Sequence, residues 1–110
     1  METVLVTGCS GFLGSQLLAD AVNEYQVVGV YHSTPVSSPD AETIRCDLTH
    51  PPFETIEEYS VDYVVHCAAL TDVDRCETDP PLARRLNTRM TDHVATLAAE
   101  MDARLIHVST

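Results

Sequence analysis

Thr7-Gly8-Cys9-Ser10-Gly11-Phe12-Leu13-Gly14 is the stretch on which the reading of this chain turns. Just before it, Thr3-Val4-Leu5-Val6-Thr7 is a short apolar run bounded by Gly8, the pattern of a strand buried on both faces. Just after it, Leu13, Leu17, Leu18 and Ala21 recur at helical spacing, and the run ends near Asn23. A glycine motif set between a buried strand and an amphipathic helix is in the context that binds a dinucleotide. Gly8 allows the tight turn off the strand, Gly11 removes a side chain where a pyrophosphate approaches the backbone, and Gly14 lets the helix pack against the strand. The helix N-terminus then offers free N–H groups and a positive dipole end. A glycine-rich βα turn that binds nothing is the bland alternative, and the agreement of strand, spacing and helix weighs against it.

Working outward, the periods alternate. Gln26 to Tyr31 is a second β-rich run, followed by His32 to Asp40, which carries two prolines and reads as a loop. Thr43 to Asp47 is a third strand, and Pro51-Pro52 start a brief helix through Glu57 and Tyr59. Val61 to Cys67 contains a fourth buried strand, and Leu70 to Asp79 is irregular. Asp79 can cap a long helix with Pro80 at its first position, whose buried stripe is Leu82, Leu86, Met90, Val94, Leu97 and Met101. Leu105 to Ser109 is a fifth strand. Strands apolar on both faces, alternating with helices, predict an α/β fold: a Rossmann-type doubly wound parallel sheet of order 3-2-1-4-5. Ending on strand five leaves the sheet without its usual continuation, so residues 1–110 are expected to be the dinucleotide-binding front part of a longer protein.

Composition removes whole classes of function. The chain has 110 residues, enough for one domain, and 45% of them are apolar, which argues against disorder. No apolar run has the length of a membrane span, and the N-terminus lacks the basic start of a signal peptide. With 6 basic and 17 acidic residues the formal charge is −11, so nucleic acid is a poor partner. All six basic residues are Arg. An acidic, Lys-free chain is what solubility in concentrated salt demands, and an acidic protein from a GC-rich genome is the alternative. Cys9, Cys46, Cys67 and Cys76 form no CxxC pair and read as reduced thiols of a cytoplasmic protein. His32, His50 and His93 lack metal-ligand spacing and read as surface residues, so no metal is expected; His66 and His107 read as core or near-site histidines.

The spacing G-x-x-G-x-x-G resembles the extended short-chain dehydrogenase/reductase superfamily. Val64-Val65-His66-Cys67-Ala68-Ala69-Leu70-Thr71-Asp72-Val73-Asp74-Arg75-Cys76-Glu77 narrows the likeness. Together with Asn87 and the ending Leu105 to Thr110, it resembles the dTDP-4-dehydrorhamnose reductases over the whole chain; Cys67 and Leu70 are substitutions within that pattern. The resemblance implies a reductase that moves hydride from a nicotinamide cofactor to the 4-keto group of a sugar nucleotide, giving dTDP-L-rhamnose. By position it implies that Gly8, Gly11 and Gly14 line the pyrophosphate, with Ser10, Phe12 and Leu13 contributing backbone. It puts Asp47 and Leu48 beside the adenine; Cys67, Ala68 and Ala69 along the ribose side; and Thr71 towards the nicotinamide. Thr110 matches the hydroxyl that hydrogen-bonds the substrate carbonyl. A homodimer of the full-length protein is compatible with this reading.

The residues place the same site independently, because ligands of open α/β sheets bind at the carboxyl ends of strands where strand order reverses. Each has a plainer reading: Asp47 as a solvated turn residue, Asn87 as a backbone stitch, and Asp72 to Asp79 as an acidic connection. One departure concerns the cofactor. The acid that would hold the ribose 2′-OH of NAD is absent at the end of strand two, where Tyr31, His32, Ser33 and Thr34 stand. His32 and Ser33 are therefore expected beside a cofactor whose 2′-phosphate is tolerated, and NADP(H) is favoured over NAD(H), although no Arg occurs in that loop. Rival functions are an NAD-dependent epimerase or dehydratase on the same scaffold and a non-catalytic dinucleotide-binding subunit, such as the regulatory subunit of methionine adenosyltransferase. A downstream Tyr-x-x-x-Lys would discriminate. Tyr25, Tyr31, Tyr59 and Tyr63 have no lysine four positions on, so this piece alone is expected to be inactive.

Overall fold

A computed structural model describes residues 1–68 and 80–108. Five strands are present: β1 (Thr3–Thr7), β2 (Gln26–Tyr31), β3 (Glu42–Arg45), β4 (Tyr63–His66) and β5 (Arg104–His107). They form one sheet of order β3-β2-β1-β4-β5 in which every pair is parallel. β1 is central and wholly buried, as a strand with no polar alternation should be. Its side chains alternate between two cores. Leu5 joins Val28, Val30, Val64, Ile56, Val94 and Leu97 on one face. Val4 and Val6 join Cys9, Leu18 and Val27 on the other.

The helices divide between those faces. α1 (Phe12–Ala21) buries Gly14 and Leu18 against the second core. α2 (Glu54–Glu57) and α3 (Pro80–Glu100) cover the first, through Ile56 and through Val94, Leu97 and Ala98. Met90 and Met101 pack against the same core at its margin. The doubly wound arrangement and the strand order agree with the sequence reading, as does the absence of helix between β2 and β3.

Three local expectations need correction. Leu13 is 41% exposed rather than packed, because it lies in the first turn of α1, beyond the carboxyl ends of the strands. α2 starts later than Pro51, at Glu54, with Phe53 as its N-cap. β5 is not apolar on two covered faces: among the described residues α3 packs on one of them, and Ile106 is 51% exposed. The expected cap at Asp79 lies outside the described residues. α3 ends in a Schellman arrangement, with Ala103 N–H donating to the Ala98 carbonyl (2.9 Å) and Asp102 N–H to that of Ala99 (3.2 Å). Asp102 holds the left-handed position, φ 54°.

Candidate functional site

Strand order reverses between β1 and β4, and the carboxyl ends of these two strands frame the site. Gly8 leaves β1 with φ +66° and lies so close to β4 that a Cβ there would stand 2.7 Å from the Ala68 amide nitrogen. Only glycine fits both the dihedral and the contact. Gly14 is excluded from carrying a side chain by a different neighbour: its Cβ would collide with the Gly8 carbonyl oxygen and approach the Cys9 Cα to 3.1 Å. Its close packing is thus against the turn itself and not, as expected, against the strand. Gly11 is the N-cap of α1 in extended conformation and its N–H donates to the Gly8 carbonyl (3.0 Å). No side chain caps α1 and its first turn holds no acid, so the amide end is open to an anion. Ser10, Gly11, Phe12 and Leu13 are exposed around it, Phe12 by 84%.

Behind the turn lies a buried polar chain that sequence reasoning sensed only as a core histidine. The Thr7 hydroxyl accepts from the amides of Cys67 (3.0 Å) and Ala68 (3.2 Å). With both lone pairs engaged, its proton points to His66 Nδ1, 2.7 Å away. His66 is therefore the Nε2–H tautomer, and that N–H donates to the Thr91 hydroxyl (3.3 Å), which donates in turn to the Asn87 carbonyl (3.0 Å). β1, β4 and α3 are tied together at the edge of the site. His66 is 1% exposed and its pKa is lowered to about 4, first by burial and then by the neighbouring His107, whose ring stacks on it at 5.5 Å. His107 itself is exposed. Burial pushes the thiols of Cys9 and Cys67 up, which keeps both protonated and unreactive.

The rim continues across β2. Successive β2 carbonyls hold the flanking loops, Val30 accepting from Cys9 N–H (3.1 Å) and Tyr31 from Cys46 N–H (2.8 Å). Beyond them stand the exposed His32 and Ser33. Asp47 folds onto its own turn: one oxygen accepts from the Thr49 amide (2.9 Å) and hydroxyl (2.6 Å), and the other lies 3.0 Å from His50 Nδ1 and 3.8 Å from His32 Nε2. Partial burial alone would raise its pKa; the hydrogen bonds from Thr49 and His50 and the nearby His32 outweigh that and hold the carboxyl below its ordinary value. Leu48 sits with its side chain in the core and its carbonyl bonded to His93 Nδ1 (2.8 Å). That bond, with the His93 ring against Phe53, corrects the reading of His93 as a surface residue. Ala69, Thr71 and Thr110 lie outside the described residues.

One rim residue escaped the sequence reading. Parallel register sets Arg45 opposite Tyr31, and the Arg45 Nε–H donates to the His32 carbonyl (3.1 Å). Counting along the loop after β2 finds no arginine; pairing β2 with β3 would have found it. Two concavities of about 440 and 640 Å³ lie at the other end of the sheet, near Ser60 and Val61 and near Thr3, Gln26 and Asp62, by the amino ends of the strands. They hold no glycine turn, and the carboxyl rim is the site that suits an elongated ligand with a central phosphate.

All 110 residues match the family described as the RmlD substrate binding domain. The chain belongs to the RmlD family. Among its relatives is the "Probable low-salt glycan biosynthesis reductase Agl14" of Haloferax volcanii, 36% identical over 96% of this chain and 36% of the relative. The dTDP-4-dehydrorhamnose reductase of Mycobacterium tuberculosis is also 36% identical, over 99% of this chain and 33% of the enzyme. The chain thus spans about a third of the length of these relatives. The RmlD fold recurs in a hypothetical dTDP-4-dehydrorhamnose reductase from Sulfolobus tokodaii, with TM-score 0.82 and 31% identity over 99% of this chain and 39% of that one. No described helix is long and apolar enough to cross a membrane.

Proposed function

We propose that this chain is the dinucleotide-binding part of a sugar-nucleotide reductase, acting on the 4-keto group of dTDP-4-keto-6-deoxy-L-mannose to yield dTDP-L-rhamnose. The observation that carries the reading is the glycine turn packed on Ala68 at the order reversal, beside an uncapped and acid-free helix end. The residues fit a nicotinamide dinucleotide, because a Cβ at Gly8 or Gly14 would meet backbone atoms of the turn and the strand behind it. When bound, the cofactor supplies the hydride. Gly8, Ser10, Gly11, Phe12, Leu13 and Gly14 hold its pyrophosphate by main-chain groups; His32, Ser33, Asp47 and Leu48 border the adenosine; Cys67, Ala68, Ala69 and Thr71 run along the second ribose towards the nicotinamide. Thr110 orients the substrate carbonyl and donates a hydrogen bond as charge develops on oxygen. The absence of any carboxylate among Tyr31, His32, Ser33 and Thr34 supports NADP(H) over NAD(H). Absent any lysine, the proton donor and the sugar pocket belong to residues beyond these 110, in a cytoplasmic and salt-adapted enzyme.

In the full-length protein, nicotinamide absorbance should fall on addition of the 4-keto sugar nucleotide. Thr110→Val should lower kcat by about 10²-fold with cofactor affinity unchanged. Cofactor binding without turnover on any keto sugar would instead favour a regulatory subunit. That second reading has a specific ground, the methionine adenosyltransferase 2 subunit beta of Xenopus laevis, 30% identical over 96% of this chain and 31% of the subunit.

A further inference from the structure

Resting on the dinucleotide reading above, we propose that Arg45 of β3 receives the 2′-phosphate of NADP(H) and sets the preference over NAD(H). In a doubly wound sheet the group that distinguishes the two cofactors lies just past the end of β2, where an acid holds the NAD ribose. Tyr31, the last residue of β2, pairs with Arg45, so the guanidinium arises from the neighbouring strand at the same height. Its Nε–H is committed to the His32 carbonyl at 3.1 Å. That bond fixes the plane of the fork at the start of the His32-Ser33 loop. It leaves the two terminal nitrogens and their four N–H donors for a planar, bidentate contact with phosphate oxygens.

The charges around Arg45 support the assignment. Arg45 is exposed and makes no ion pair with any described carboxylate. Asp47, two residues on, is the acid that would be expected to neutralise it. Both Asp47 oxygens are turned instead onto Thr49, His50 and His32. His32 completes the setting: its carbonyl anchors Arg45, while its ring lies by Asp47 on the same rim. A plainer role for Arg45 is to guard β3, an edge strand, against pairing with another chain. The two roles differ in what they do to cofactor choice.

Calorimetric titration of the full-length protein with NADP⁺ and with NAD⁺ separates them, using wild type, Arg45→Gln and Arg45→Lys. Adenosine 2′,5′-bisphosphate and 5′-AMP serve as probes of the 2′-phosphate alone. Arg45→Gln should weaken NADP⁺ and the bisphosphate by about 10- to 100-fold, the scale of a lost charge-assisted contact, and leave NAD⁺ and 5′-AMP within about twofold. Arg45→Lys should restore part of the loss, since it keeps the charge but not the fork. An unchanged ratio of the two affinities in Arg45→Gln, or an equal loss of both, would overturn the assignment in favour of the edge role. Failure of wild type to bind either dinucleotide would overturn the dinucleotide reading itself, and the role of Arg45 with it.

Discussion

His66 shows how a single side chain couples pH to the rim of the site. Its neutral form is required by the directions of its hydrogen bonds, and its pKa of about 4 lies below the 6.5 of a free imidazole. Below pH 6.5 the unfolded chain takes up a proton at this residue that the folded chain refuses. The stabilisation is therefore complete above pH 6.5, declines as pH falls, and is gone below about pH 4, with an amplitude of about 3 kcal/mol at most. His66→Gln can still accept and donate but does not titrate. The difference between wild-type and Gln urea midpoints should shrink between pH 7.5 and 4.5, because only wild type loses this contribution; a constant difference would clear His66 of the role. Gly14 makes a prediction of another kind. In Gly14→Ala the new methyl meets the Gly8 carbonyl and the Cys9 Cα, both backbone and neither able to swing aside. Thermal unfolding should register a loss of about 1–3 kcal/mol. Calorimetry should register loss of dinucleotide binding, since the turn must deform.

Elements were legible to the degree that their own residues define them. β1 and β2 carry uninterrupted apolar runs, so pattern alone sufficed there, whereas the expected α3 stripe is buried only at Val94 and Leu97, with Ala83 and Ala98 buried beside them and Leu82, Leu86, Met90 and Met101 half-buried. The glycine turn was legible for the same reason, its spacing lying within eight consecutive residues, although the contact that requires glycine at position 8 comes from Ala68. What escaped depended on partners distant in sequence. Arg45 reaches the rim only through the β2–β3 register, and His93 is half-buried through the Leu48 carbonyl and the Phe53 ring. The end of α3 offers a test at this scale. Asp102 occupies a left-handed position that the Schellman hydrogen bonds impose, and glycine takes that conformation without a Cβ penalty. Asp102→Gly should stabilise the fold by about 0.5–1 kcal/mol, seen as a higher thermal midpoint.

The whole molecule carries a net charge of −11 on 110 residues, and all its positive side chains are arginines. Among the described residues the ion pairs are two His–Asp47 contacts, so the described carboxylates other than Asp47 face no side-chain counter-charge. Self-repulsion then falls as the screening length shortens, from about 10 Å at 0.1 M salt to about 3 Å at 1 M. The midpoint of thermal unfolding should climb as KCl is raised into the molar range, by about 4–8 °C for each kcal/mol of repulsion relieved. Melts that superimpose across that range would show the acidic surface to be neutral for stability.

The Thr7–His66–Thr91 chain has a polarity with a consequence for catalysis. It begins at two peptide amides and ends at a peptide carbonyl, neither of which acts as an acid or a base near neutral pH. Its direction cannot be inverted without breaking the bonds to Cys67 and Ala68. It is a latch and not a wire: no proton relay can run through it from the core to a reacting oxygen. The Nε2 proton of His66, shielded at both ends, should exchange with deuterium only when β4 parts from α3, and its imidazole resonance would serve as a clock for that opening.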